Sequence, residues 1–131
     1  MKNIVTSGRR KGSIARAVLR EGKGKVTVNK INLEVYTPSM ARMKVLEPLM
    51  LAGDVAKKVN IDVDVHGGGS ITQADAARLS IARALAQHSP KLKEVFLQYD
   101  RNLIVADVRV KEAAKPNHHG QARARTQTSY R

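Results

Sequence analysis

The sequence contains no cysteine, which excludes disulfide bonds and thiolate metal sites. Its only aromatic residues are Tyr36, Phe96, Tyr99 and Tyr130, which argues against a protein that stacks single-stranded bases on aromatic rings. No apolar run approaches the roughly 20 residues of a membrane-spanning helix. The opening residues, MKNIVTSGRRKGS, also lack the apolar stretch of a secretory signal. We therefore expect a cytoplasmic protein with an aliphatic core.

Acidic residues are scarce relative to basic ones: 11 Asp and Glu stand against 24 Lys and Arg, and the net charge is +13. Residues 1–25 carry eight basic residues and one acidic (+7), residues 26–110 eleven and nine (+2), and residues 111–131 five and one (+4). A solubilising charge would be spread evenly, so cations segregated at both ends indicate a polyanionic partner. Nucleic acid is favoured, because phosphate contacts release counterions. A membrane surface is disfavoured, since no basic amphipathic helix is present.

The hydrophobic pattern predicts an α+β fold, a two-layer α/β sandwich in which a mixed sheet of about four strands is backed by helices. Apolar runs at residues 14–19 and 25–29 predict two strands, and Gly22 and Gly24 between them suggest a hairpin. Residues 60–66 alternate strictly between apolar and polar, which indicates a strand with one buried and one solvated face.

Helical periodicity appears in three regions. Two short helices separated by Pro48 are predicted between residues 38 and 53. The longest helix, residues 71–88, has an alanine-rich face suited to close packing on a sheet, with Ser80 and Arg83 on its polar arc. A short helix follows Pro90.

The end of the packed domain is indicated by a change in composition. Residues 101–110 read as a last extended segment, and no large aliphatic residue follows Val110. We therefore assign residues 1–110 to a globular RNA-binding core with a basic N-terminal segment, and residues 111–131 to an extended basic tail.

Gly67, Gly68 and Gly69 lie between a predicted strand and the longest helix. Backbone N–H groups at a helix N-terminus can bind phosphate, but neither a P-loop nor a dinucleotide-binding pattern surrounds these glycines. For nucleotide chemistry, a turn that needs positive φ or close backbone approach is the better interpretation. Contact with an RNA phosphate remains open, so the three glycines are a candidate phosphate-approaching loop.

The basic residues are the remaining candidates. The cluster GRRKGSIAR favours phosphate binding over a plain cationic loop, given the charge around it. On the longest helix, Arg78 could equally be a snorkelling core-edge arginine and Arg83 a solvated one. The predicted RNA contacts are Arg9, Arg10, Lys11, Arg16, Lys23, Lys25, Arg78, Arg83, Lys115, His118, His119, Arg123 and Arg125.

Nothing in the pattern favours catalysis. His118 and His119 are adjacent and do not share a face, and no nearby cysteine or carboxylate completes a metal site. Asp62 and Asp64 share a strand face, where solvation is the commoner role. No nucleophile–base motif is present. We expect no enzyme activity, metal, cofactor or small-molecule substrate.

Four ordered blocks carry a resemblance: GRRKGSIARA (residues 8–17), LEPLMLAG (46–53), GGGSITQADAARLSIARAL (67–85) and the terminal SYR (129–131). In these the sequence resembles the universal small-subunit ribosomal protein nine family, in its archaeal and eukaryotic form. The resemblance implies a mixed sheet backed by helices, and a structural role in the head of the small subunit.

The resemblance also implies partners: small-subunit ribosomal RNA, neighbouring head proteins, and the peptidyl-site transfer RNA, which the tail would reach. The transfer-RNA contacts carried over by position are Ser129, Tyr130 and Arg131. Two rivals are a protein subunit of an RNA-processing ribonucleoprotein, and a kinase-like domain that uses the glycine loop.

The sequence departs from the family pattern in the turn and the tail. Asn29-Lys30 replaces a common Asn-Gly, from which we expect a different turn type. Thr126 and Thr128 stand where Arg or Lys is common, so the tail is less basic than usual.

Overall fold

The computed structural model describes residues 3–36 and 38–105, which form a mixed sheet of five strands and three α-helices. The expected α+β class is confirmed, with one strand more than the four or so expected. The strands are β1 (Ile4–Arg10), β2 (Ser13–Glu21), β3 (Val26–Val28), β4 (Ile31–Asn32) and β5 (Val59–His66). The helices are α1 (Ser39–Ala52), α2 (Ser70–His88) and α3 (Lys91–Tyr99), and 3-10 helices cover Leu33–Val35, Gly53–Lys58 and Arg101–Leu103. The predicted tail, residues 111–131, lies outside the described residues.

The strands lie in the order β1-β2-β5-β3-β4. β2 pairs antiparallel with β1 and β5, whereas β3 runs parallel to β5 and antiparallel to β4. The predicted hairpin between residues 14–19 and 25–29 is therefore wrong, because β5 lies between these strands. The Oδ1 atom of Asn60 in β5 accepts hydrogen bonds from the backbone N–H groups of Lys23 and Lys25, each 3.0 Å long. These bonds hold the connection across the end of β5 and direct the chain to its far side.

β1 is a strand that the hydrophobic pattern did not predict. Its residues on the helix-covered face are Ile4, Thr6, Gly8 and Arg10. Only one of these is a large apolar residue, so the alternation of a half-buried strand is missing. Gly8 instead allows α2 to lie directly on the strand. A Cβ atom at Gly8 would lie 2.8 Å from the backbone nitrogen of Ser80, and nearer still to a helix carbonyl oxygen.

α2 is the central helix, since it packs on β1 and β2 and also on α1. The buried residues of its predicted alanine-rich face are Ala74, Ala77, Ile81, Ala84 and Leu85. The placement of Ser80 on the solvated arc was wrong, because β1 covers that side and Ser80 is fully buried. Its hydroxyl donates to the carbonyl of Ala77 at 2.8 Å, and its carbonyl accepts from the hydroxyl of Thr6 at 2.7 Å.

Two other expectations were wrong. Pro48 does not separate two helices: α1 runs through it, and burial of the proline ring offsets the hydrogen bond that its nitrogen cannot donate. Residues 101–103 form a 3-10 turn and not an extended segment, because the Asp100 carboxylate accepts from the N–H of Asn102 at 3.0 Å and Leu103 is buried in the core. Residues 106–110 of the expected segment lie outside the described part of the chain.

The turn between β3 and β4 has Lys30 in the position that glycine favours. Asn29 and Lys30 have φ of 52° and 68°, and a type I′ turn requires positive φ at both central residues. The expectation of a different turn type was therefore wrong. Asn29 fixes the turn against β5: its N–H donates to the carbonyl of Val63, and its Oδ1 accepts from the N–H of Val65, each at 2.7 Å.

In the part of the chain that the structure describes, one face of the sheet is covered by the helices and the other is open. Along β5 the alternation holds as predicted, with Ile61, Val63 and Val65 buried and Asp62, Asp64 and His66 exposed. β2 contributes Arg16 and Arg20 to the open face. Among the described helices, none combines the length and apolar character needed to cross a membrane.

Candidate nucleic-acid interface

The cationic β1–β2 turn and the glycine loop lie at the same end of the molecule. Arg10 pairs with Ser13, so Lys11 and Gly12 form the turn, and Ile14 pairs with His66 at the end of β5. A Cβ atom on Gly67 would collide with the carbonyl oxygen of Gly12. We call this surface the hairpin end, and it comprises Arg9, Arg10, Lys11, Gly12 and Gly67, Gly68 and Gly69.

Side-chain hydroxyls hold the two loops together. The Oγ of Ser13, a fully buried residue, donates to the carbonyl of Gly67 at 2.8 Å and lies 2.9 Å from the Oγ1 of Thr72. Thr72 in turn accepts from the N–H of Gly69 at 2.9 Å, and Gln73 donates its side-chain amide to Gly67 at 3.0 Å. The hairpin turn, the glycine loop and the first turn of α2 therefore form one rigid unit.

The glycine loop has the backbone that we expected of a turn. Gly67 and Gly68 have φ of 81° and 63°, in the left-handed region that favours glycine. Gly69 precedes Ser70, the first residue of α2, and a Cβ there would meet nothing within 4 Å. The loop thus leaves the positive end of a 19-residue helix open to close approach by a ligand.

Arg9 and Arg10 differ in their surroundings. The Nε of Arg9 donates to the carbonyl of Lys11 at 3.2 Å in an exposed position. The Nε of Arg10 lies 3.9 Å from Asp75 on α2, and the same carboxylate lies 2.8 Å from the Nζ of Lys44. Among the described residues, Arg10 and Lys44 thus converge on the carboxylate of Asp75.

Arg78 lies beside the hairpin end and makes ion pairs within the protein. Its Nη2 lies 2.7 Å from Glu47 on α1 and 3.3 Å from Asp100, and its side chain is 14% exposed. A polar cavity of about 140 Å³ is lined by Arg78 together with Arg9 and Arg10. The structure thus brings three predicted RNA contacts, Arg9, Arg10 and Arg78, to one cavity. Arg78 is already paired with two carboxylates of the protein itself.

Arg83 connects the edge strand to the last described residues. Its Nε donates to the carbonyl of Ile104 and its Nη1 to the carbonyl of Ser7, each at 2.9 Å. Both bonds involve backbone carbonyls, so this arginine positions the chain that leaves α3 against β1.

The other predicted contacts are dispersed. Arg16 lies on the open sheet face, opposite Asp64. Lys23 and Lys25 are exposed at the far end of β2, roughly 30 Å from the hairpin end for a strand of this length. The contacts that lie outside the described residues are Lys115, His118, His119, Arg123, Arg125, Ser129, Tyr130 and Arg131.

Sequence reasoning missed the residues that organise the site. Ser13 and Thr72 are 59 positions apart, and Lys44 and Asp75 are 31 apart, so no local pattern pairs them. The only signal was the strand-loop-helix position of the glycines, which indicates a close backbone approach without naming its partner.

Two further observations concern titratable groups. Burial raises the pKa of the Tyr36 hydroxyl above its usual value of 10.0. Within residues 3–36 and 38–105, no group of three or more acidic or histidine side chains could hold a metal ion.

Residues 8–131 match the family described as ribosomal protein S9/S16. The chain belongs to this family. Its relatives include small ribosomal subunit protein uS9 of Methanococcus vannielii, 46% identical over 134 residues and all of both chains. The protein uS9 of Methanothrix thermoacetophila is 45% identical over 133 residues, which cover all of both chains. The protein uS9 of Desulfurococcus amylolyticus is 47% identical over 133 residues, which cover all of this chain and 94% of the relative.

Membership in the ribosomal protein S9/S16 family confirms the resemblance, including its archaeal form, since these three relatives come from archaea. It also confirms the expectation that the protein is not an enzyme. The kinase-like interpretation of the glycine loop is therefore set aside.

Proposed function

We propose that this protein is a structural component of the small ribosomal subunit that binds ribosomal RNA with the hairpin end of its core. As a member of the ribosomal protein S9/S16 family, it acts in translation within the cytoplasmic ribosome. The observation that supports RNA binding at this end is the convergence of Arg9, Arg10 and Lys11 with the glycine loop.

The chemistry of the hairpin end suits an RNA backbone. Arg9 and Lys11 present exposed cations, and the first turn of α2 adds the positive end of a helix. Gly69 has no side chain, and a Cβ atom there would meet nothing within 4 Å, so a phosphate can approach the backbone closely at the start of α2. The hydrogen bonds of Ser13 to Gly67 and Thr72 order the surface before binding, which lowers the entropic cost of association.

This surface recognises shape and charge instead of base identity. Aromatic residues make up only 3% of the sequence, and the hairpin end contains none, so stacked bases have no platform. Folded RNA with closely spaced phosphates is the ligand that such a rigid cationic end fits.

The tail completes the proposal. Residues 111–131 carry a net charge of +4 and, if extended at roughly 3.3 Å per residue, span about 65–75 Å. We assign Lys115, His118, His119, Arg123 and Arg125 to ribosomal RNA, and Ser129, Tyr130 and Arg131 to the peptidyl-site transfer RNA. Support comes from the family resemblance of the terminal SYR and from the absence of large aliphatic residues after Val110.

Filter binding of small-subunit ribosomal RNA over a salt series tests the role of the hairpin end. The double substitution Arg9→Ala/Lys11→Ala removes two exposed cations there, and Lys91→Ala/Lys93→Ala removes two exposed cations from α3. We expect the first variant to lower the salt-dependence slope by about two and the second to leave it near the wild-type value. Equal losses in both variants would show that only total charge matters and would overturn the assignment.

Gradient sedimentation separates this proposal from the RNA-processing alternative. Full-length protein expressed at native level should travel with the small ribosomal subunit and not with a smaller ribonucleoprotein. Co-migration with a processing particle alone would contradict the ribosomal role.

A further inference from the structure

A groove of about 610 Å³ lies between α1 and the segment that carries β3, β4 and the 3-10 helix Leu33–Val35. Its apolar lining consists of Val26, Leu33, Leu46, Leu49, Met50 and Ala56. The volume falls within the range of pockets that bury several apolar groups of a ligand. Met50 is 76% exposed, so part of this apolar surface faces water in the described structure.

Cations surround the apolar lining. Among the described residues, Lys23, Lys25, Arg42 and Lys57 line the groove, against a single carboxylate, that of Glu34. The Nη1 of Arg42 donates to the backbone carbonyl of Glu34 at 2.9 Å and so connects the two walls. Lys57 lies 3.9 Å from Asp54, but both side chains are at least 80% exposed, and such a pair contributes little. The groove therefore combines an apolar floor with a positive rim.

We propose that this groove binds an acidic amphipathic segment of another protein. Apolar side chains of that segment enter between α1 and β3, and its carboxylates meet the four cations. An exposed methionine suits such a surface, because its flexible thioether side chain adapts to the shape of a partner. Helix-in-groove binding of this kind uses apolar anchors spaced along one face of the partner.

Other occupants fit less well. RNA would leave the apolar floor without a function, since none of the described residues that line the groove has an aromatic ring for stacking. Residues 111–131 carry +4 and lack large aliphatic residues, and a second copy of the chain carries +13. Both would be repelled by the positive rim. Lys23 and Lys25 are accordingly assigned to a protein partner, which goes beyond RNA binding at the hairpin end and does not depend on it.

Fluorescence polarisation with the full-length protein at physiological salt tests the proposal. The probe is a labelled helical peptide of about 18 residues with Leu along one face and Glu along its flanks, and its control has the same composition in scrambled order. Met50→Asp and the double substitution Lys23→Glu/Lys57→Glu alter the groove. Met43→Asp on the same helix, 65% exposed and outside the groove, and Lys91→Glu/Lys93→Glu on α3 are the matched controls.

We expect saturable binding of the amphipathic peptide, weakened tenfold or more by each groove variant and within about twofold of wild type in each control variant. Equal binding of the scrambled peptide, or no saturable binding at millimolar peptide, would overturn the proposal. It would also be overturned if the groove variants reduced binding of a ribosomal RNA hairpin but not of the peptide, since the groove would then serve RNA. Circular dichroism melts of all variants confirm that each remains folded.

Discussion

At some positions of this fold, the residue type depends on how closely two backbone segments approach each other. Gly8 lies where β1 meets α2, and no side chain fits between them. Gly12, at the turn only four residues later, is exposed, and a Cβ atom there would lie 3.9 Å from its nearest neighbour. Two glycines in the same hairpin therefore have different importance, although the sequence alone does not distinguish them.

Gly8→Ala should destabilise the protein by about 1–3 kcal/mol, because the added methyl group forces β1 away from the backbone of α2. Gly12→Ala is the matched control and should change the free energy of unfolding by less than about 0.5 kcal/mol. Urea unfolding followed by circular dichroism measures both. Equal effects of the two substitutions would mean that the close packing of β1 on α2 is not maintained in solution.

Lys30 presents the opposite case, a side chain where glycine is preferred. Its φ of 68° is in the left-handed region, which costs a non-glycine residue about 1–2 kcal/mol. Lys30→Gly should therefore raise the free energy of unfolding by about 0.5–1 kcal/mol, after the greater flexibility of glycine in the unfolded chain is included. A Lys30→Ala control removes the charge but keeps the strain, so a gain of the same size there would assign the effect to charge.

At the scale of elements, Arg78 ties three parts of the chain together. It extends from α2 to Glu47 on α1 and to Asp100, which also caps the 3-10 turn after α3. Its side chain is mostly buried, whereas the two carboxylates are 36% and 40% exposed. The pairs are thus intermediate between buried and surface ion pairs, and removing the arginine leaves two partly desolvated acids close together.

Arg78→Met should lower the free energy of unfolding by about 1–3 kcal/mol, with a smaller loss in high salt, where repulsion between the two carboxylates is screened. The triple variant with Glu47→Gln and Asp100→Asn should recover much of that loss, which chemical unfolding would show. If Arg78 acts mainly through RNA, stability would stay unchanged while RNA affinity fell, and the structural assignment would be wrong.

Sequence patterns predicted α2 and β5 well because each has a strong and simple period. They failed for β1, whose helix-covered side carries Thr6, Gly8 and Arg10, and for the placement of β5 between β2 and β3. The hairpin rule assumes that strands adjacent in sequence pair with each other. No local pattern shows that Asn60 in β5 holds the connection between β2 and β3 across the end of β5. The candidate site was also predicted only in part. The sequence identified both the cationic cluster and the glycine loop, but their contact depends on the long-range pairing of β2 with β5.

For the whole molecule, the strand pairing divides the basic N-terminal segment between two places. Arg9, Arg10 and Lys11 lie at the hairpin end, whereas Lys23 and Lys25 lie beside the groove at the other end of β2. One stretch of 25 residues with a net charge of +7 thus supplies two separate surfaces. This separation allows one protein to bind RNA at one end and an acidic protein segment at the other.

We propose the tail, residues 111–131, as a third region, in which the proposed transfer-RNA contacts are the last residues and can be removed separately from the proposed ribosomal-RNA contacts. Deletion of residues 128–131 removes Ser129, Tyr130 and Arg131 but keeps Arg123, Arg125 and the folded core. We expect small subunits that assemble normally, as judged by gradient sedimentation, but retain peptidyl-site transfer RNA less well in filter binding. Arg131 is the last of the five basic residues of the tail, and Tyr130→Ala/Arg131→Ala at full length should give most of the same loss. Failure of the shortened protein to enter subunits would instead assign the last four residues to assembly, and normal retention in both variants would exclude the transfer RNA as a partner of the tail.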